Sequence, residues 1–426
     1  MKNNRFVINA SWIMIGRVVQ LLLTFVTTML ATRYLGPTEY GKLTYVFSYV
    51  QFFIPICTMG LNDIVVKELV DNKDENDLIV GTMLVMRTVV SLCSMVISSF
   101  LAAAVNQSSF YGLIAFLQSF SLMFQSFECI MYFYQSQMAS QKSGLAYALG
   151  YVIASLFRIL LIVMKKDIRW FAFAMSFDYI AVAVLLLGFY RKDRYRFRFS
   201  FPMVKRLLGK SYYYIFSGLL VVIYGKVTDI LLLGKMVDET NVGYYGAATT
   251  LCNAWPFILT AIIDSANPFI IEMHRKDKEQ FEKRVRQLYA AVFYIGIIAA
   301  LGITVLSDFI IGIIYGTAFK PAAVPLRVFC WSTAFSYIGV ARTAWMQCEK
   351  KTRYETWISL FGCITNILLN YFLIRSFGIV GAASAAVLTQ LLTNFVFLFF
   401  VKDIRKNASL ILDAILLKGV LPDRKV

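Results

Sequence analysis

The chain has 426 residues, of which 59% are hydrophobic and only 16% charged, whereas about 25% of residues in a typical soluble domain are charged. The formal net charge of +17 would favour nucleic-acid binding in a soluble protein. Here the basic residues concentrate in short loops between long apolar runs, which argues against that function class. The seven cysteines form no CxxC pair, and the single histidine, His274, lies in a charged loop. These counts argue against a disulfide framework, a metal site and a His-based catalytic triad.

Twelve apolar runs are each long enough to cross a bilayer, which takes roughly 20 residues. Because lipid offers no partner for open backbone groups, the runs are predicted to be helices, and the chain an all-α integral membrane protein. The first run is too long for a cleavable signal peptide. In chain order the predicted spans are Phe6–Thr32, Tyr40–Leu61, Leu78–Val105, Phe110–Tyr134, Gly144–Met164, Ile168–Tyr190, Tyr212–Met236, Gly243–Ala266, Leu288–Tyr315, Pro325–Gln347, Trp357–Ile374 and Gly378–Val401.

A basic stretch that begins at Arg191 divides the spans into two groups of six. We predict an N-lobe over residues 1–190, a basic amphipathic cytoplasmic linker over 191–211, a C-lobe over 212–401 and a cytoplasmic tail over 402–426. Lys and Arg concentrate in alternate loops, and such loops face the cytoplasm. This asymmetry predicts that both termini are cytoplasmic. The linker, Asn62–Asp77 and Pro268–Gln287 are predicted to lie on the anionic inner leaflet.

A faint internal repeat supports the division into halves. Thr38–Gly41 corresponds to Thr240–Gly243, and Pro55 then falls opposite Pro256 inside the second span of each half. Duplicated halves are common in secondary transporters, where matched interrupted spans indicate the moving or binding region. The alternative is that proline simply occurs often in membrane helices.

Several charges lie inside the apolar runs, and a cation at mid-membrane costs about 2.5–3.5 kcal/mol. The predicted substrate-binding cations are Arg17, Lys226, Arg87, Arg158 and Arg342, and the candidates for ion coupling or charge pairing are Asp178 and Asp229. The alternatives are ion pairs with a structural role only and arginines that snorkel to an interface. Glu128 and Asp264 lie near the ends of their runs and are predicted to be interfacial.

Five cations against two acids predict an interior with positive potential, which is felt strongly in a low-dielectric surround. Such a cavity attracts anions, and a diphosphate fits best because Arg binds phosphate oxygens in pairs while Lys acts as a point charge. Tyrosines such as Tyr212–Tyr214 would suit a sugar ring, although an interfacial aromatic belt is the favoured explanation for any single one of them. The chain has no Walker A, HExxH, GxSxG or DxD motif. Energised transport would therefore need an ion gradient or a partner.

Three patches of sequence carry a family resemblance. Arg17 followed by Ala31–Lys42, then Lys226–Gly234 with Asn241–Ala248, and finally Asn366–Ala383 together resemble the polysaccharide-unit (O-antigen and capsule, Wzx-type) flippases of the MOP superfamily. The resemblance implies two six-helix, MATE-like lobes with alternating access through a central cavity. It also implies export of undecaprenyl-diphosphate-linked oligosaccharide repeats across the bacterial plasma membrane for surface polysaccharide such as the O-antigen of lipopolysaccharide.

The resemblance maps the cavity cations onto Arg17 and Lys226, and with less support onto Arg87, Arg158 and Arg342. It implies no cofactor, with proton or sodium coupling as an option at Asp178 or Asp229. The implied partners are the lipid-linked oligosaccharide, the phospholipid bilayer, a polysaccharide polymerase and a chain-length regulator, but no nucleic acid. The lipid II flippase branch has two further spans, for which this chain has no room.

Three other functions are weighed against a flippase. A cation-coupled multidrug exporter of the same fold would need acids in its cavity without surplus Arg or Lys. A multispan polysaccharide polymerase or ligase would carry a large outer loop, and the predicted outer loops here are short. A structural scaffold for glycan assembly would leave the mid-membrane cations unexplained.

Overall fold

The computed structural model describes residues 2–420 of the chain. Within that range the side chains of residues 2–11, Ile13, Ile15, Asp63 and Lys226 lie outside the description, as do the last residues of the predicted tail. Over the described range the regular structure consists of helices, with no strand. The prediction of an all-α fold is confirmed.

The chain forms two compact units, Met1–Val222 and Ile223–Val426. The helices of the first unit are α1 (Lys2–Phe52), α2 (Ile54–Thr58), α3 (Val65–Asp71), α4 (Asn76–Asn106), α5 (Ser109–Gln125), α6 (Glu128–Ser136), α7 (Ser140–Val163), α8 (Ile168–Lys192) and α9 (Phe201–Val222). The helices of the second unit are α10 (Thr228–Met236), α11 (Glu239–Cys252), α12 (Phe257–Lys276), α13 (Lys278–Ile314), α14 (Ala323–Phe329), α15 (Ser332–Cys348), α16 (Arg353–Leu391), α17 (Phe397–Phe400) and α18 (Arg405–Ile415).

Nine helices of the described residues are long and apolar enough to cross a membrane, or ten when the bent pair Thr317–Phe329 and Ser332–Cys348 counts as one span. Two of these helices contain a non-helical residue, Gly36 in α1 and Gly378 in α16. When the bent pair counts as one span and both helices are divided at these glycines, the total is twelve, which is the predicted number. Gly36 has φ 74° and Gly378 has φ 54°, which is the left-handed region that glycine enters without strain.

The two prolines of the internal repeat both lie where a helical run is interrupted. Pro55 is in the first turn of α2, directly after the end of α1, and Pro256 caps the start of α12 after α11 ends at Cys252. Proline suits the first turn of a helix because its missing N–H has no partner there in any case. The same interruption therefore recurs at matched points of the two halves.

Helix α9 begins at Phe201, eleven residues before the predicted span. Pro202 occupies its first turn, and the stretch predicted to lie on the leaflet continues directly into the helix, with Met203 and Leu207 buried in the core of the first unit. The backbone N–H of Arg198 donates to the Asp77 carbonyl at 3.1 Å. The segment before α9 is thus fastened to the start of α4. The domain boundaries drawn from the sequence stay a prediction.

Each unit has its own buried core. In the first unit it includes Leu61, Leu69 and Phe133, and in the second Phe281 and Trp345. In the predicted tail, α18 packs on α13, where Asn407 Nδ2 donates to the Tyr289 hydroxyl at 2.7 Å. The tail is therefore part of the second unit as far as Val420.

Candidate functional site

The first unit contains a cavity of about 400 Å³. Its walls come from α1, α6 and α7 and combine charged, amide, hydroxyl and phenolic groups with a few apolar side chains. The lining residues are Gly16, Arg17, Gln20, Leu21, Glu128, Met131, Tyr132, Gln135, Ser140, Ser143, Gly144 and Tyr147. Polar side chains converge here on a lining that is otherwise apolar, and a pocket that combines apolar walls with placed polar groups is typical of a ligand site.

Helices α1 and α7 cross closely beside this cavity. A Cβ placed on Gly144 would lie 2.6 Å from the carbonyl oxygen of Trp12, and one on Gly16 would lie 3.2 Å from the Cα of Gly144. The two backbones therefore meet without side chains between them. The crossing holds Arg17, which directly follows Gly16, against the wall formed by α6 and α7.

Arg17 is exposed and forms no hydrogen bond or ion pair with any residue whose side chain is described. Across the cavity lies Glu128, whose Oε1 accepts a hydrogen bond from the Tyr147 hydroxyl at 3.4 Å. Glu128 is within electrostatic range of both Arg17 and Arg87. The cavity thus has one unpaired cation and one acid.

Sequence reasoning placed Glu128 at an interface rather than in a site. The residue lies near the end of an apolar run, where acids are usually solvated. The signal that could have identified it is the row of polar residues that follows, including Tyr132 and Gln135 at helical spacing on the same face. Those residues line the cavity together with Glu128.

Arg158 and Asp178 form an ion pair between α7 and α8. The Nη2 atom of Arg158 lies 2.5 Å from Oδ2 of Asp178, and Nη1 donates to the Thr27 hydroxyl at 3.2 Å. Both charged residues are buried. The structure therefore brings together a predicted substrate-binding cation and a predicted coupling acid, and each neutralises the other.

Arg87 on α4 is fully buried, with 1% of its surface exposed. Its Nη2 donates to the Thr58 carbonyl at 2.8 Å and to Oδ1 of Asn62 at 2.6 Å. Among the described residues, its Nε and Nη1 atoms find no hydrogen-bond partner. Arg87 thus stands behind the cavity wall and not in it.

Arg342 on α15 is also buried, and it forms an ion pair with Glu355 at the start of α16, with Nη2 3.2 Å from Oε2. Neither Arg342 nor Arg158 lines the cavity that contains Arg17. The side chain of Lys226 lies outside the described residues. The assignment of these cations to substrate binding stays a prediction.

Asp229 on α10 is fully buried, and neutral side chains of the described residues donate hydrogen bonds to it. The hydroxyl of Tyr245 donates to its Oδ2 at 2.6 Å, and the Nδ2 atoms of Asn366 and Asn370 donate to its Oδ1 at 3.1 and 2.8 Å. The two asparagines are one turn apart on α16, so they present both amides to the same carboxylate. The sequence had singled out Asp229, but its partners are more than 130 residues away on α16, except for Tyr245.

Comparison with solved structures shows the fold. A lipid II flippase MurJ in an inward closed conformation superposes with a TM-score of 0.72 at 12% identity, over 97% of this chain and 92% of that chain. An inward-facing multidrug resistance MATE family transporter of the MOP superfamily gives a TM-score of 0.71 at 11% identity, over 94% of this chain and 99% of that chain. The chain therefore has the fold that these two proteins share.

One similar curated protein is the probable low-salt glycan biosynthesis flippase Agl15 of Haloferax volcanii, which is 26% identical over 191 residues. The match takes in 45% of this chain and 40% of Agl15, so it spans less than half of that relative. A second family model, described as MatE, matches residues 214–372.

The family model described as "Polysaccharide biosynthesis protein" matches residues 6–274, which is more than half of the chain. It includes Arg17, Glu128 and every other residue that lines the cavity. The fold shared with MurJ and the MATE transporter agrees with this match. The chain is a multi-pass membrane protein that belongs to the polysaccharide biosynthesis protein family.

Proposed function

We propose that the protein is a transporter, a flippase that moves lipid-diphosphate-linked oligosaccharides across the membrane. Its substrate would be an undecaprenyl-diphosphate-linked repeat unit in the plasma membrane of a bacterium, and it would work by alternating access. The family match and the resemblance to Agl15, a probable glycan biosynthesis flippase, support this proposal.

The observation that carries the proposal is Arg17. A guanidinium without an ion-pair partner among the described residues lies in a polar cavity within an apolar bundle, where it can donate paired hydrogen bonds to phosphate oxygens. Around it, Gln20, Gln135 and Tyr132 offer donors and acceptors of the kind that bind sugar hydroxyls. The prenyl chain would stay in the lipid while the diphosphate and glycan pass through the protein.

Coupling to a proton or sodium gradient remains part of the proposal. Both predicted acids stay candidates: Asp229 accepts hydrogen bonds from Tyr245 and Asn370, and Asp178 is paired with Arg158. A polymerase and a chain-length regulator remain the expected partners of such a flippase.

The first test is Arg17→Ala in proteoliposomes that contain a short-chain fluorescent prenyl-diphosphate sugar. Hydrogen bonds to a charged group contribute about 1.5–3 kcal/mol, so we expect roughly 10- to 100-fold slower crossing. Arg33→Ala is the matched control, since Arg33 is exposed on the same helix but does not line the cavity. Lys226→Ala, tested in parallel, asks whether the second predicted cation contributes.

Equal rates for the wild type and Arg17→Ala would contradict the assigned role of Arg17. A wild type that leaves the diphosphate sugar in place but expels lipophilic cations would instead establish the multidrug exporter. Arg17→Lys separates the effect of charge from that of paired hydrogen bonds, because lysine keeps the charge and loses the paired geometry.

A further inference from the structure

Two cations and one acid form a charged cluster at the cavity of the first unit, and the acid is within electrostatic range of both cations. Glu128 interacts electrostatically with Arg17, which lines the same cavity, and with Arg87, which is buried behind the wall with two guanidinium nitrogens unpaired among the described residues. With all three groups charged, the cluster has a net charge of one positive unit. Arg87 is the buried member of the cluster, and a buried charge is costly unless it is compensated.

Among the described residues, ionisable groups from four helices surround Glu128. Arg17 comes from α1 and Arg87 from α4, while α7 and α8 contribute phenols and, beyond them, the Arg158–Asp178 ion pair, which interacts with two of the same phenols. The phenols are Tyr147, Tyr151 and Tyr179, and Tyr132 and Cys129 lie beside Glu128 on α6. Helix α3 also packs on α6, but its Glu68 is engaged by Arg206 and Lys210. Among the groups whose side chains are described, Glu128 is therefore the one carboxylate of this cluster.

We propose that Glu128 takes up one proton when the cavity binds a diphosphate diester. This inference rests on the proposed flippase function. Such a diester has two negative charges. Added to the cluster, it changes the net charge from one positive unit to one negative unit, with an acid and an anion both facing Arg17. A proton from solvent on the Glu128 carboxylate brings the sum to zero and removes the repulsion.

The protonated carboxyl has a further use in the filled cavity. As an acid it can donate an O–H to a phosphate oxygen, whereas a carboxylate can only accept. Glu128 is thus a positioning residue that sets how tightly the anion is held. An ionised Glu128 weakens binding and a protonated one strengthens it.

The test is calorimetric titration of the full-length protein in detergent with farnesyl-diphospho-N-acetylglucosamine, whose diphosphate charge stays fixed over the working pH range. Repeating the titration in MES, HEPES and Tris, whose heats of ionisation differ, counts the protons taken up. Phosphate buffer is avoided because it competes for Arg17. We expect about one proton per bound ligand and an affinity that falls up to about tenfold per pH unit as pH rises.

Glu128→Gln, a neutral isostere of the protonated acid, should bind with no proton uptake and little dependence on pH. Above neutral pH it should bind more tightly than the wild type. Glu128→Asp keeps an acid and should keep the uptake, which preserves the test if the Gln variant folds poorly. Glu75→Gln is the matched control, since Glu75 pairs with Arg206 away from the cavity.

Binding by the wild type with no proton uptake would overturn this inference and leave the proposed function intact. Uptake that persists in Glu128→Gln would also overturn it, because another group would be the acceptor. A wild type that does not bind the diester at all would count against the proposed function itself, and the inference would be lost with it.

Discussion

At the scale of single residues, Arg158 and Asp178 show how two charges in apolar runs can stabilise each other. Their ion pair is buried between α7 and α8, and the Thr27 hydroxyl accepts a hydrogen bond from the Arg158 guanidinium. Breaking such a pair by removing one partner is strongly destabilising, because the remaining charge is left buried without compensation. Replacing both partners by apolar residues often is not.

We therefore expect Asp178→Ala to lower the free energy of unfolding by about 3–5 kcal/mol. The double variant Arg158→Met/Asp178→Leu should lose less, since no charge remains uncompensated. Thermal or denaturant unfolding in detergent measures both. If Asp178→Ala were as stable as the wild type, the pair would have no structural role, and the coupling role predicted for Asp178 would gain support.

The charges in the apolar runs were identifiable from the sequence, but only some of their partners were. Arg158 and Asp178 are 20 residues apart and occupy neighbouring helices, so their pairing could be anticipated. Asn370 is 141 residues from Asp229, and no local pattern connects them. The place of Glu128 in a cavity was missed for the same reason, because its surroundings come from α1, α4 and α7.

At the scale of helices, the crossing of α1 and α7 decides the shape of the cavity. Gly16 and Gly144 let the two backbones approach until a single Cβ on Gly144 would meet the Trp12 carbonyl at 2.6 Å. A backbone atom cannot move aside as a flexible side chain can, so the helices themselves would have to separate. Arg17 and the α7 wall of the cavity would move with them.

We predict that Gly144→Ala destabilises the protein by about 1–3 kcal/mol through overpacking and slows transport as well. Gly188→Ala is the matched control, because a Cβ at Gly188 on α8 meets nothing within 4 Å. That change should be neutral or stabilise by about 0.5–1 kcal/mol, since alanine favours the helix. Unfolding temperature and the flipping rate check both variants. Equal stabilities of the two variants would show that the close crossing is unimportant.

Helix boundaries agreed with the predicted ones where a residue that interrupts a helix, such as glycine, marks the break. Gly36 and Gly378 interrupt α1 and α16 where one predicted span ends and the next begins. The start of α9 at Phe201 differs from the predicted start of the span at Tyr212. The stretch after Pro202 has an amphipathic pattern, which suits either a helix on the leaflet or the first turns of a span. In the structure this stretch forms the first turns of α9, with Met203 and Leu207 buried in the core.

At the scale of the whole molecule, the distribution of Lys and Arg predicts that both termini are cytoplasmic. We expect a green fluorescent protein fused to the C-terminus to fluoresce, since it folds in the cytoplasm. Alkaline phosphatase fused at Gln107, in a predicted outer loop, should be active. Activity of the phosphatase at the C-terminus would contradict an even number of spans.

The sequence by itself determined the class of protein, the number and order of the spans and the existence of charges within them. These properties depend on the length and polarity of contiguous runs, because the thickness of the bilayer sets how long an apolar segment must be to cross it. Only the tertiary structure decided which charges are neutralised and which remain available to a ligand. Arg158 and Arg342 meet acids on adjacent helices, whereas Arg17 faces an open cavity. Electrostatics depends on distance in space, and packing sets that distance.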